Sequence, residues 1–384
     1  MQSTSKIYVA GHTGLVGSTV TRALLEKGYD NLVLRTREEL DLTDQKHVET
    51  FFAAELPEYV ILAAAIVGGI FANNTYRADF IFNNLIIQSN VIYFAWKYGV
   101  RKLLFLGSTC IYPKEAPQPL KEDYLLTSLL EHTNEPYAIA KIAGLKMCES
   151  FNIQYKTNFI SIMPTNLYGS GDNFDLERSH VLPALLRKFH LGKCLEAGNW
   201  ASIRDDIRRN PVGNLSSDAD EKTILEELAK HGILFNSAGS PDLITNDSLT
   251  NAPGINKVTV TVWGTGSPLR EFMNSEDMAD ACIFILEKVD IKDITDLHSS
   301  GNKGKDYYPP HFINVGTGVE ITIRDLAYKI KTITGFKGKI VFDSTKPDGT
   351  MRKVTDITAL RKLGFTPKID LDSGLLKMYN NYIS

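Results

Sequence analysis

The feature that most restricts this chain lies within its first thirty residues. A short apolar run, Ile7 to Ala10, leads directly into Gly11, Gly14 and Gly17, and the last of these opens a helix-period segment, Ser18–Lys27. Glycines at G-x-x-G-x-x-G spacing permit a tight turn and a close approach of backbone to backbone or to a ligand. A plain turn would use the same residues, but a turn between a strand and a helix has a second property. The opening amides of the helix have no partner within it, the positive end of its dipole lies there, and Leu15 and Val16, between the glycines, would share the site. Such a place holds anions, and after a first strand it reads as a pyrophosphate cradle for a dinucleotide.

The same rhythm continues for about 170 residues. Leu32–Leu34, Tyr59–Ala65, Leu103–Leu106 and Phe159–Met163 read as further strands, with Gln45–Ala54, Phe80–Lys97 and Tyr137–Gln154 as helices between them. Any one apolar run could be a buried helix segment, but five in alternation with helices predict a parallel sheet covered on both faces. The expected fold class is therefore α/β. A Rossmann-type doubly wound parallel sheet spans residues 1–170, and a smaller C-terminal α/β substrate-binding domain occupies most of 171–384, with segments returning to the first domain. Residues 196–257 are polar and rich in Asn, Asp, Ser and Gly, with one helix-like stretch, Glu221–His231, and read as a surface insertion. Beyond them come a strand, VTVTVWG, a helix over Glu276–Lys288, a strand, HFINVG, and a helix starting near Thr322 with a capping-box-like Thr322-x-x-Asp325.

Composition excludes several alternatives. A formal charge of -3 gives no footprint for nucleic acid. The longest apolar stretch, Tyr59 to Ala72, is shorter than a membrane span and is broken by Gly68 and Gly69. The polar residues 1–6 run straight into the first strand, so no cleaved leader and a cytoplasmic location are expected. Cys110, Cys148, Cys194 and Cys282 show no metal-ligand spacing, and no metal is expected.

An acid at the end of the second strand would favour NAD, by bonding the ribose 2′-hydroxyl. This chain has Arg35 and Arg37 there, two guanidinium groups that suit a 2′-phosphate, so NADP(H) is the expected cofactor. Asp41 and Leu42 would lie near the adenine. Tyr137 and Lys141 are one helical turn apart, an arrangement in which an ammonium favours the tyrosinate and makes the phenol a usable acid-base group. Tyr93/Lys97 and Tyr98/Lys102 share that spacing but precede the fourth strand, where no ligand is expected, and read as structural. The fourth strand runs into Gly107-Ser108-Thr109-Cys110, and strand C-termini are where such sheets bind ligands. Ser108 can there hydrogen-bond a carbonyl.

GHTGLVG, NNTY, LFLGSTCIYP, NEPYAIAKIAG, MPTNLYG, SHVLPALLRKFH, VWGTGSPLREF, INVGTG and KPDGTMRK occur in this order across nearly the whole chain outside 196–257. Together they resemble the GDP-L-fucose synthase family of extended short-chain dehydrogenase/reductases, which epimerise and reduce GDP-4-keto-6-deoxy-mannose. The resemblance implies a Ser108–Tyr137–Lys141 reductase set, with Cys110 and His180 performing epimerisation. It also implies Pro164, Asn166, Leu167 and His180 beside the nicotinamide, and Lys188, Trp263 and Arg270 on the GDP-linked 4-keto-6-deoxy sugar. Asn166 could equally be a turn residue, and His180, ahead of VLPALLRKF, a helix cap. A homodimer through the Phe80–Lys97 and Tyr137–Gln154 helices is implied too. Two features depart from the family pattern: Thr13 stands where bacterial relatives often have arginine, and 196–257 is extra. They leave open an alternative, a C4 reductase without epimerase activity that acts on a related GDP-4-keto-6-deoxy hexose or heptose. Two further competitors are a nucleotide-sugar 4-epimerase that retains NAD, which stoichiometric NADPH oxidation would exclude, and a purely dinucleotide-sensing protein, which has no need of all five reactive residues.

Overall fold

The structure is a computed structural model that describes residues 1–236, 257–299 and 307–384. The chain divides into two compact units with interleaved boundaries. The first comprises Met1–Asp172, Arg270–Glu320 and Arg352–Gly374; the second comprises Asn173–Leu269, Ile321–Met351 and Leu375–Ser384.

The first unit begins with β1 (Ile7–Ala10), α1 (Leu15–Glu26), β2 (Leu32–Val33), α2 (Gln45–Glu55), β3 (Tyr59–Leu62) and a short α3 (Ile70–Thr75). It continues through α4 (Arg77–Lys97), β4 (Lys102–Leu106), α5 (Glu135–Tyr155), β5 (Phe159–Pro164) and β6 (Asn166–Tyr168). Residues returning later in the chain add β9 (Leu269–Asn274), α9 (Ser275–Lys288), α10 (Ile291–Ser299), β10 (Phe312–Val315), β11 (Glu320–Thr322), β13 (Arg352–Lys353) and α12 (Thr358–Lys362). Six strands form one sheet in the order β10-β5-β4-β3-β1-β2, parallel throughout. Strand order reverses between β1 and β3, which places the ligand crevice of such a sheet at the C-terminal end of β1.

Alternation along the strands builds two apolar layers. Ile7 and Val9 of β1 and Leu104 and Leu106 of β4 join Val20 and Leu24 of α1 and Ile283 of α9 on one face. Tyr8 and Ala10, with Leu103 and Phe105, join Phe52 of α2, Val91 of α4 and Leu145 of α5 on the other. Burial on both faces explains why these strands read as continuous apolar runs. β3 ends at Leu62 rather than Ala65, and α5 starts at Glu135, with Pro136 suited to the opening turn of a helix because its missing N–H has no partner there anyway.

The second unit contains α6 (Val181–Glu196), α7 (Trp200–Arg209), α8 (Glu221–Lys230), β7 (Ile233–Asn236), β8 (Lys257–Trp263), α11 (Ile323–Thr334), β12 (Lys339–Asp343) and the end of α13 (Leu371–Ile383). β12 pairs parallel with β8, and β7 pairs antiparallel on its other side. The segment from 196 to 236 thus holds two helices and a strand, where the sequence reading expected one helix in a polar loop. WASIRDDIRR hides a sparse stripe in which Ile203, Asp206 and Ile207 are buried, and Asn199 caps the helix through the amide of Ser202. The remainder of the expected insertion, 237–256, lies outside the described residues. Among the described residues no helix is long and apolar enough to cross a membrane.

One fully buried ion pair ties this unit together. Arg187 of α6 donates from Nε to Asp206 Oδ1 of α7 at 2.9 Å, and its other nitrogens donate to the carbonyls of Phe174 (3.0 Å) and Asn210 (2.5 Å). Tyr382 of α13 donates its hydroxyl to the other oxygen of Asp206. Removing one partner strands the other charge without water. Asp206→Ala is expected to cost about 3–5 kcal/mol in denaturant unfolding, and Arg187→Met combined with Asp206→Leu distinctly less.

Candidate active site

The glycine turn has the geometry a diphosphate cradle requires. Gly11 adopts φ +83, and a Cβ there would lie 2.8 Å from the Ala64 amide nitrogen. A Cβ on Gly17 would lie 2.0 Å from the Gly11 carbonyl oxygen, so α1 docks against the end of β1 only without a side chain at 17. Gly14 is the N-cap of α1, and no side chain caps the helix there. The amides of Leu15 and Val16 therefore remain as donors for an anionic ligand.

At the end of β2 the two arginines differ. Arg35 is paired with Glu55 at 2.5 Å, donates to the Leu34 carbonyl at 2.8 Å, and lies 5.9 Å over the Phe51 ring. Arg37 is exposed. The expectation of two equivalent guanidinium groups thus changes: Arg35 is already engaged by a carboxylate, and Arg37 stands toward solvent. Asp41 accepts from the amide and hydroxyl of Thr43, which hold its carboxyl below the usual range, and the Leu42 carbonyl accepts from Asn90 at 2.9 Å. Pro164 closes β5. Asn166 lies on β6, not in a turn, and donates to the Glu271 carbonyl at 2.8 Å, while Leu167 packs on the first apolar layer.

Beyond β4 the reactive residues of the first unit come together. Ser108 is extended and caps the one-turn helix Thr109–Ile111, its Oγ accepting from the Cys110 amide at 3.3 Å. Its side chain also hydrogen-bonds the Cys110 thiol, an interaction that favours the thiolate. Lys141 reaches from α5 to donate to the Leu106 carbonyl at 2.8 Å, with its ammonium 4.9 Å from the Phe105 ring and 5.6 Å from the Tyr137 ring. Phe80 meets the Tyr137 ring edge-on at 6.3 Å. Desolvation dominates here. It pushes Tyr137 far above an ordinary phenol, lowers Lys141 to about 8, and raises the Cys110 thiol against the opposing effect of nearby cations. The look-alike pairs are structural: Lys97 pairs with Glu49, and Lys102 donates to the carbonyls of Leu286 and Val289 at 3.0 and 2.9 Å.

Arg270 lies on β9 of the first unit, whereas His180, Lys188 and Trp263 belong to the second. His180 holds the N-cap position of α6 without its side chain capping the helix, so the cap reading gains no support. Lys188, on α6, has its ammonium lowered to about 8 by burial, and Trp263 at the end of β8 is 65% exposed. The sequence reading missed Lys353 and Glu271 as individual residues. Lys353 is the leading positive influence on Cys110, and Glu271 is a fully buried carboxylate. An acid inside the strand-like run LREFMN was the available signal, since a buried charge demands partners.

The chain matches the model of the NAD dependent epimerase/dehydratase family over residues 7–207 and 234–297. It is 48% identical over 379 residues to GDP-L-fucose synthase 1 of Arabidopsis thaliana, covering 99% of this chain and 93% of that one. It also resembles the crystal structure of a GDP-D-glycero-L-gluco-heptose synthase from Campylobacter jejuni in the presence of NADPH, at TM-score 0.85 and 40% identity over the full length of both chains. A GDP-mannoheptose C4 reductase from Campylobacter jejuni with NADP bound matches at TM-score 0.79 and 40% identity, again over both full lengths.

Lys141 offers a check on the desolvation argument. Between about 8 and its ordinary 10.5 the folded protein has released this proton while the unfolded chain keeps it. The unfolded state then binds more protons, so stability contributed at this position rises with pH across that window. Unfolding measured from pH 7 to 11 is expected to show the difference between wild type and Lys141→Met moving in favour of wild type as pH climbs.

Proposed function

The chain belongs to the NAD dependent epimerase/dehydratase family, among the GDP-L-fucose synthases, and on that basis we propose that it uses NADPH to reduce the C4 ketone of a GDP-4-keto-6-deoxy sugar after epimerisation at C3 and C5. The observation that carries the reading is the convergence of Ser108, Cys110, Tyr137 and Lys141 at the end of β4.

In this reading Gly11, Gly14, Leu15, Val16 and Gly17 hold the cofactor diphosphate, and Arg37, with Arg35 where it is released from Glu55, takes the 2′-phosphate. Asp41 and Leu42 flank the adenine; Pro164, Asn166, Leu167 and His180 serve the nicotinamide end. Bound NADPH supplies the hydride. Ser108 donates its hydroxyl to the C4 oxygen. Tyr137, kept protonated by burial, gives its proton to that oxygen as alkoxide character develops, because only a strongly basic oxygen can take it. Lys141 holds the nicotinamide ribose and supports the charge left on the phenol.

Epimerisation uses the acidity that a C4 ketone confers on C3–H and C5–H. Cys110 and His180 are assigned to removing and returning those protons, since a thiol and an imidazole can titrate near neutrality. Lys188, Trp263 and Arg270 are assigned to the GDP-sugar, whose diphosphate would stabilise the buried ammonium of Lys188. The alternative is C4 reduction without epimerisation on a related GDP-4-keto-6-deoxy hexose or heptose; both Campylobacter jejuni relatives act on heptoses, and one of them is a C4 reductase. A cytoplasmic homodimer completes the proposal. Phe82 and Tyr93 of α4 and Ile139, Ile153 and Tyr155 of α5 leave apolar surface exposed, and all four cysteines are free.

The decisive experiment supplies GDP-4-keto-6-deoxy-mannose and NADPH in deuterated water. Stoichiometric NADPH oxidation with deuterium at C3 and C5 is the expected result, oxidation without label selects reduction alone, and no oxidation refutes the main reading; the alternative falls too if a GDP-4-keto-6-deoxy-heptose also leaves NADPH unoxidised. Tyr137→Phe is expected to lower kcat about 10²–10⁴-fold while NADPH binding, followed by fluorescence, is retained.

A further inference from the structure

The assignment of Cys110 as a proton carrier creates a physical difficulty. A thiol accepts a carbon-bound proton only as thiolate, and Cys110 is buried, where desolvation opposes that charge. Lys141 is close, but its ammonium is already spent on the Leu106 carbonyl, and its effect on the thiol is smaller than that of another cation.

We propose that Lys353, outside the Ser-Tyr-Lys set, is the cation that pairs with Cys110 in its proton-accepting form, and that Glu271 is the positioning residue that fixes Lys353 there. The proposal rests on the epimerase reading of Cys110. Its geometry is that of a strand fastened on both sides. Beside β13, Leu120 donates its amide to the Val354 carbonyl at 2.8 Å, Asp356 donates back to the Leu120 carbonyl at 2.8 Å, and the Val354 amide donates to Gln118 Oε1 at 3.0 Å. This stitches Lys353 to the segment that continues from Cys110. On the other side, Thr355 donates from its amide at 2.7 Å and its hydroxyl at 2.8 Å to Glu271 Oε2. The same carboxylate takes the amides of Thr317 and Gly318 at 2.6 and 2.8 Å, and a Cβ on Gly316 would lie 2.2 Å from it.

That donor set decides the electrostatics. Glu271 meets its charge with amides and a hydroxyl, and among the described residues no carboxylate forms an ion pair with Lys353. Its ammonium is therefore left to act on the thiol. The groups facing Lys353 are Cys110, Arg270 and Glu271; those facing Cys110 are Lys353, Lys141, Ser108 and Tyr137. Burial lowers Lys353 in its turn, and the thiolate is the leading influence that raises it again, so each charge favours the other. In the step, the Cys110 thiolate takes the proton from a carbon beside the C4 carbonyl and the C–H electron pair enters the enolate. Protonation of that carbon from the other face completes inversion, the thiol then returns its proton to solvent, and Lys353 keeps its protons throughout.

The test is titration of Cys110 in the full-length protein without substrate, by ultraviolet thiolate absorbance with Cys110→Ser as the blank and by iodoacetamide labelling of the Cys110 peptide. Lys353→Met is expected to raise the thiol midpoint by about one unit or more, seen as about tenfold slower labelling at fixed pH, and Lys353→Arg to restore most of it. Glu271→Gln is expected to shift it in the same direction while the labelling of Cys148, Cys194 and Cys282 stays unchanged. An unchanged midpoint in folded Lys353→Met, or a larger shift in Lys141→Met than in Lys353→Met, overturns the proposal; Lys353→Gln serves if the Met variant does not fold. Deuterium exchange into GDP-4-keto-6-deoxy-mannose tests the underlying reading separately. Absence of exchange in wild type refutes epimerisation, whereas exchange present in wild type and reduced about tenfold in Lys353→Met supports the pairing.

Discussion

The contact between Gly17 and the Gly11 carbonyl sets the position of everything downstream of β1. With no side chain between them, α1 begins directly at the edge of the sheet, and its uncapped amides face the crevice where strand order reverses. One methyl group at position 17 would separate helix from strand and displace those donors. The sheet then carries the chemistry to the same edge, because β4 ends at Leu106 and its carbonyl orients Lys141.

Water exclusion governs the reactive groups more strongly than their mutual attraction. An ammonium one helical turn from Tyr137 would by itself make the phenol more acidic; in the structure burial outweighs that effect and leaves Tyr137 a reluctant acid. This suits reduction, in which the proton moves only once the ketone oxygen has become strongly basic. The same exclusion makes cysteine costly to ionise, which is why a second ammonium near Cys110 matters. Desolvation thus separates the two jobs: it helps the donor and must be countered at the acceptor.

Much of this was legible from pattern. Continuous apolar runs identified the buried strands, and the glycine spacing, read together with its flanking strand and helix, located the cradle. The helix-like stretch at 221–231 was legible, but the helix of 200–209 was not, because α7 buries only a narrow stripe and one of its buried residues is an aspartate whose partner lies nineteen positions away. Glu271 and Lys353 were hidden for a similar reason. Their significance depends on amides at 317, 318 and 355, and no local period reports such distant donors. Arg35 was legible as a cation at the end of β2, but its pairing with Glu55, twenty residues on, was not.

The threading of the chain has a consequence for synthesis on the ribosome. The sheet's outer strand β10 comes from residues 312–315, more than 140 residues after its neighbour β5. Until that stretch has left the exit tunnel, β5 presents an unpaired edge of six apolar-flanked residues to the nascent-chain environment. The first unit therefore cannot reach its finished form as the leading half of a growing polypeptide. It must wait, partly assembled, while residues 173–269 of the second unit are translated, and chaperone demand should concentrate in that interval.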